Sequence, residues 1–141
     1  MHNDDDEVPP APPDKETQEQ WLSWLRSAVE AHPAFETHSS ILNECCVIAA
    51  HWRTRFWPNR AIWSRIRRGD RLVKEMCEAA PVLQRARDAV LSLPPADGTA
   101  SKAVILDLCS GFGYLSMFLS ELLAPCADRV EKIVLVDVKW A

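Results

Sequence analysis

The sequence predicts an α/β chain, with a helical amino-terminal region followed by one β-α-β unit of a parallel sheet. Three observations carry this. Apolar residues recur at helical spacing from Thr17 to about Ser92. Two continuously apolar β-type runs, Ala103–Leu108 and Lys132–Val138, then bracket an amphipathic stretch near Tyr114–Leu123. Between the first run and that stretch lies a turn of small residues holding two glycines. The 141 residues, 48% of them hydrophobic, suffice for one ordinary domain.

Residues 1–16 hold four prolines and four aspartates with almost nothing to bury, so they are expected to be a disordered leader. Thr17 and Gln20 fit a capping box, and Trp21, Leu25, Ala28 and Val29 follow as an apolar stripe. Pro33 stops that helix. A second is expected from about Ser39, with Ile41, Leu42, Cys45, Ile48, Ala49 and Trp52 inward, and Pro58 breaks it. From Asn59 the helical period continues, punctuated by Gly69 and Pro81, with Ile62, Ile66, Leu72, Val73, Met76, Leu83, Ala86 and Val90 inward. The domain reading is therefore a helical region over 17–92, a linker over 93–101 and an α/β segment over 102–141. The continuous β runs predict strands buried on both faces.

Charge and cysteine content narrow the class. The net charge is −4, yet residues 53–74 hold eight basic side chains against the single acid Asp70. Five irregularly placed cysteines with no CxxC pair read as reduced, mostly buried thiols rather than a disulfide framework or a zinc site. No apolar run reaches the roughly 18 residues of a membrane span, and the acidic, proline-rich start is not a secretory or transit signal. The expectation is an intracellular protein, cytoplasmic or nuclear.

"DLCSGFG", Asp107 to Gly113, must reverse the chain within a few residues. Gly111 and Gly113 permit backbone angles that a Cβ forbids, and Cys109 and Ser110 keep the same space open. Free N–H groups at the following helix start then face the crevice above the strand ends, where open α/β sheets bind ligands. Asp137 closes the second run 24 residues after Gly113, placed to accept both hydroxyls of a ribose. A dinucleotide site wants a third small residue, where this chain has Ser116. Asp107 at the strand end would repel a pyrophosphate and attract an ammonium by about 1 kcal/mol. That favours S-adenosyl-L-methionine, which carries ribose, adenine, ammonium and sulfonium but no phosphate.

At these residues "VILDLCSGFGYLSMFLSELL" followed by "KIVLVDVKW" resembles the first two motifs of class I, Rossmann-like S-adenosylmethionine-dependent methyltransferases. The likeness is greatest to variants reading D-x-C-x-G-x-G, and it covers about the last forty residues. It implies that Asp107 serves the methionine amino group, directly or through water. Cys109, Ser110, Gly111, Phe112 and Gly113 would form the loop under methionine and ribose, Asp137 would take the ribose hydroxyls, and Val138 would lie against adenine. The family's sheet has seven strands, so the chain is expected to be the amino-terminal part of a methyltransferase, an incomplete Rossmann-like sheet inactive as it stands. Two other readings stay open: an NAD(P)-dependent Rossmann oxidoreductase fragment, and a non-enzymatic helical nucleic-acid-binding module.

The basic segment interleaves Trp52, Phe56, Trp57 and Trp63 with its cations. Arginines hold phosphates through paired N–H groups, and aromatic faces stack on unpaired bases, so RNA is the partner this composition suits. Arg53, Arg55, Arg60, Arg67, Arg68, Arg71 and Lys74 are the candidate contacts. Arg60, Arg67, Arg71 and Lys74 are expected to share one side, opposite Ile62, Ile66 and Val73. The alternative is a helical cap whose core is those tryptophans and whose arginines are its solvated face. His32, His38 and His51 have no visible nucleophile partner and read as surface or core histidines.

Overall fold

The computed structural model describes residues 17–68, 71–94 and 101–138. The leader expected over 1–16 lies outside them. The chain divides into two compact units, Met1–Ala80 and Pro81–Ala141, so the division falls within a helix.

The first unit is helical. Helix α1, Gln18–Glu30, opens on the expected capping box: Thr17 Oγ1 accepts from Gln20 N at 3.2 Å, and Gln20 Oε1 accepts from Thr17 N at 2.9 Å. Its stripe of Trp21, Leu25, Ala28 and Val29 is buried. Helix α2, Phe35–Phe56, starts earlier than Ser39. One turn precedes a kink at His38, whose φ of −129° is non-helical, and the regular stretch resumes beyond it. Its buried face is Ile41, Leu42, Cys45, Cys46, Ala49, Ala50, Trp52 and Arg53. Gln18 ties the two helices by donating to Ala50 O at 2.9 Å and accepting from Arg53 Nη1 at 2.7 Å.

Helix α3, Arg60–Arg67, is capped by Asn59, whose Oδ1 accepts from Ile62 N at 3.2 Å. It ends at Arg68, which takes the left-handed conformation with φ 38°. Helix α4, Arg71–Leu91, buries Leu72, Val73, Met76, Cys77, Ala80, Leu83 and Val90. Pro81 does not interrupt it. The residue is exposed, and its missing N–H forgoes the hydrogen bond to the Cys77 carbonyl.

The second unit is α/β, as the sequence predicts: strand β1 (Ala103–Leu108), helix α5 (Tyr114–Leu122), a 3-10 segment (Ala124–Arg129) and strand β2 (Val130–Val136). The strands are parallel and adjacent, with Ile105 opposite Ile133, Asp107 opposite Leu135 and Leu108 opposite Val136. Tyr114, Phe118, Leu119, Leu122, Leu123 and Cys126 form the core beside them. Arg129 Nη1 donates to Leu91 O at 2.7 Å and Leu93 O at 3.3 Å, tying the start of β2 to the end of α4. Strand β1 departs from the expectation of two buried faces. Asp107 is buried on one side, whereas Val104, Leu106 and Leu108 on the other are 45%, 60% and 67% exposed. No described helix is long and apolar enough to cross a membrane.

Candidate functional site

The turn after β1 is built from left-handed residues. Cys109, Gly111 and Gly113 have φ of 61°, 54° and 82°. Cys109 bears the strain of this conformation despite its Cβ, and its side chain is exposed. Ser110 N donates to Val136 O at 3.1 Å, extending the strand pairing one step into the turn. Gly113 N then donates to Ser110 O at 2.8 Å, and Gly113 becomes the N-cap of α5.

The two glycines do different work. A Cβ on Gly113 would stand 3.1 Å from Leu135 Cδ2, so this glycine lets the helix start press on β2. A Cβ on Gly111 would meet nothing within 4 Å. Its position opens on free space above the strand ends.

Asp137, directly after β2, reaches back across the turn. Its Oδ2 accepts from Gly111 N at 2.6 Å over a sequence separation of 26 residues. The carboxylate of the second strand is thus brought onto the glycine loop of the first. Asp107 lies near the end of β1 with its side chain buried. Only 6% exposed, it accepts from Ser116 Oγ at 2.6 Å on Oδ2, so that oxygen faces the helix. Sequence reasoning treated Ser116 as an imperfect third glycine and missed this role. The signal for it was a hydroxyl in the first helical turn after a strand-end acid. Ser110 Oγ is buried with no partner among the described residues. Phe112 and Val138 are 57% and 93% exposed. Between Lys102 and Arg129 the sequence has no basic residue.

A separate hollow of about 310 Å³ lies towards the other end of β2. Leu123, Ala124, Ala127, Val130 and Ile133 wall it, with Ser120 and Lys132 as its polar members. It does not reach the glycine turn.

In the basic segment the structure sorts the candidates. Arg53 and Arg67 are 5% and 8% exposed, whereas Arg55, Arg60, Arg68, Arg71 and Lys74 are exposed. The expected single basic side over 60–74 does not form. Arg68 breaks the helix in the left-handed region, so α3 and α4 do not share one helical wheel, and Arg67 turns inward while Ile62 is 41% exposed. Trp52 and Trp63 are core residues at 4% and 2% exposure, and Trp63 meets Trp21 edge-on at 5.3 Å. Trp57 is stacked by two guanidiniums, those of Arg53 at 4.0 Å and Arg60 at 3.8 Å. Arg55 lies over Phe56 at 5.3 Å. Arg68, Arg71, Lys74 and Glu75 line a hollow of about 530 Å³.

The histidines take local roles. His32 Nδ1 accepts from Ala34 N at 3.1 Å, and His38 Nδ1 pairs with Thr37 Oγ1 at 2.8 Å.

No family model matches the chain, and no curated protein or solved structure matches it either.

Proposed function

We propose that the unit around β1, α5 and β2 binds S-adenosyl-L-methionine as part of a class I methyltransferase, with RNA as the substrate class. The observation that carries this reading is the hydrogen bond from Gly111 N to Asp137 Oδ2. It joins the two sequence motifs, which are far apart in the chain, at the carboxyl ends of two parallel strands. A ribose seated there meets a carboxylate, and a chain passing over Gly111 meets no Cβ.

Electrostatics supports the choice of ligand. A pyrophosphate would meet two carboxylates, Asp107 and Asp137, in a turn-and-helix stretch with no basic residue between Lys102 and Arg129, which is unfavourable. A sulfonium with an ammonium is favoured by the same field. When bound, this cofactor supplies an electrophilic methyl group. The residues of this chain bind and orient it: Asp137 holds the ribose, the backbone of Cys109–Gly113 supports the methionine end, and Val138 offers an apolar surface to the adenine. Asp107, buried and bonded to Ser116, supports the methionine end from the end of β1.

Isothermal titration with S-adenosylhomocysteine and with NADH tests the reading. Binding of S-adenosylhomocysteine alone is expected, and Asp137→Ala should weaken it by about tenfold or more, the size of one lost charged hydrogen bond. Preferential binding of NADH would overturn the assignment.

A further inference from the structure

The turn from α2 to α3 holds a stack of flat side chains. Arg53 and Trp57 are one helical turn apart at the end of α2, and Asn59 caps α3 so that Arg60 is its first residue. Trp57 N donates to Arg53 O at 2.9 Å and Asn59 N to Phe56 O at 3.0 Å, so the turn is closed by its own backbone. The guanidinium carbons of Arg53 and Arg60 lie 4.0 and 3.8 Å from the centre of the Trp57 ring. Two groups that wide and that close to one centre would overlap on a single face, so they take opposite faces.

The stack is anchored in the core. Trp57 lies 6.5 Å from Trp63, which is 2% exposed and itself meets Trp21 edge-on. From the inside outwards the order is Arg53, 5% exposed, then the half-buried Trp57, then the exposed Arg60.

That order decides which group an unpaired base can meet. Both faces of Trp57 are covered, Trp52 and Trp63 are in the core, and Phe56 lies under Arg55. The outermost plane is the Arg60 guanidinium. The indole backs one of its faces, and among the described residues it makes no hydrogen bond or ion pair. A guanidinium plane stacks on a nucleobase as an aromatic ring does, and its in-plane N–H groups stay available to a phosphate. Resting on Trp57, the side chain has less freedom to lose on binding than an unsupported arginine.

We infer that Arg60 is a base-stacking residue for single-stranded RNA, its guanidinium taking an unpaired nucleobase on the face turned away from Trp57. This rests on the RNA part of the reading above and is independent of its cofactor part. The aromatics of the segment then serve to hold an arginine flat, and the arginine does the stacking.

Fluorescence anisotropy of the full chain tests it with three labelled probes of equal phosphate number: an oligoadenylate, an oligouridylate and an abasic oligomer. Affinity should fall in that order, since the purine offers the largest face. Arg60→Lys keeps the charge and loses the plane. It should weaken oligoadenylate binding by about fivefold or more, the size of one lost base stack, and leave the abasic affinity unchanged. The ratio of oligoadenylate to abasic affinity should persist between about 50 and about 200 mM salt, because stacking releases no counterions. Arg55→Lys, an exposed arginine outside the stack, should leave all three affinities as they were. Circular dichroism of both variants should match the native chain. Equal affinity of the native chain for all three probes would show that phosphates alone are held, overturning this inference while leaving RNA as partner. Unchanged oligoadenylate binding by Arg60→Lys would place the base elsewhere and also overturn it. Binding of none of the probes at low salt would remove the RNA partner, and this inference with it.

Discussion

Ser116 donates its hydroxyl to Asp107 Oδ2 at 2.6 Å, and the two residues are 5% and 6% exposed. One bond thus pins the first turn of α5 to the end of β1. The glycine turn between them is held at both ends.

Removing the donor should be costly. Ser116→Ala leaves a buried carboxylate short of a hydrogen bond, a loss of about 1–3 kcal/mol. Urea unfolding followed by circular dichroism should show a lower midpoint. An unchanged midpoint would mean that Asp107 is satisfied without Ser116.

The two glycines of the turn should respond oppositely to alanine. Gly113→Ala incurs left-handed strain of about 1–2 kcal/mol and pushes a Cβ to 3.1 Å from Leu135, so its damage appears in stability. Gly111→Ala bears only the strain, because its Cβ enters open space. If that space is the ligand's, Gly111→Ala should lose S-adenosylhomocysteine binding well beyond its loss of stability. Titration calorimetry beside urea melts of both variants separates the cases, and intact binding by Gly111→Ala would show that the ligand lies elsewhere.

The buried thiols give the protein a weakness at high pH. Burial pushes Cys46 up to about 12 and Cys77 up to about 11, from an ordinary value of 9.0. Below pH 9 neither the folded nor the unfolded chain ionises these groups, and their contribution to stability is fully present. Above it the unfolded chain releases the protons first, so stability falls as pH rises towards the folded values. Cys46→Ala with Cys77→Ala should flatten that fall in urea midpoints measured between pH 8 and about 10.5. In the native protein only Cys109, the exposed thiol, should react promptly with a thiol reagent.

Much of this was legible in the residues. The capping box at Thr17, the stripe of α1 and the order of strand, turn, helix and strand follow from local chemistry that needs no distant partner, and a strand-helix-strand order makes parallel pairing the expected arrangement. The differences arise where a neighbour decides. Pro81 reads as an interruption within a period that stays helical, and the helix accepts it because the ring is exposed and flanking apolar residues are anchored on both sides. Arg53 and Arg67 read as surface charges, but stacking and a glutamine carbonyl make burial of Arg53 tolerable. Ser116 reads as a packing compromise because its acid partner is nine residues away. That an acid follows the second strand was visible from spacing, while its bond to Gly111 depends on a register that sequence alone does not set.

Strand β1 leaves a further mark on how the chain behaves in bulk. Val104, Leu106 and Leu108 form an uncovered greasy row, and in a sheet of two described strands each strand keeps one unpaired edge of amide groups. That combination is a template on which other chains can stack strand by strand. Aggregation should therefore begin at this end of the molecule, and it should quicken with concentration even while the helical unit is intact.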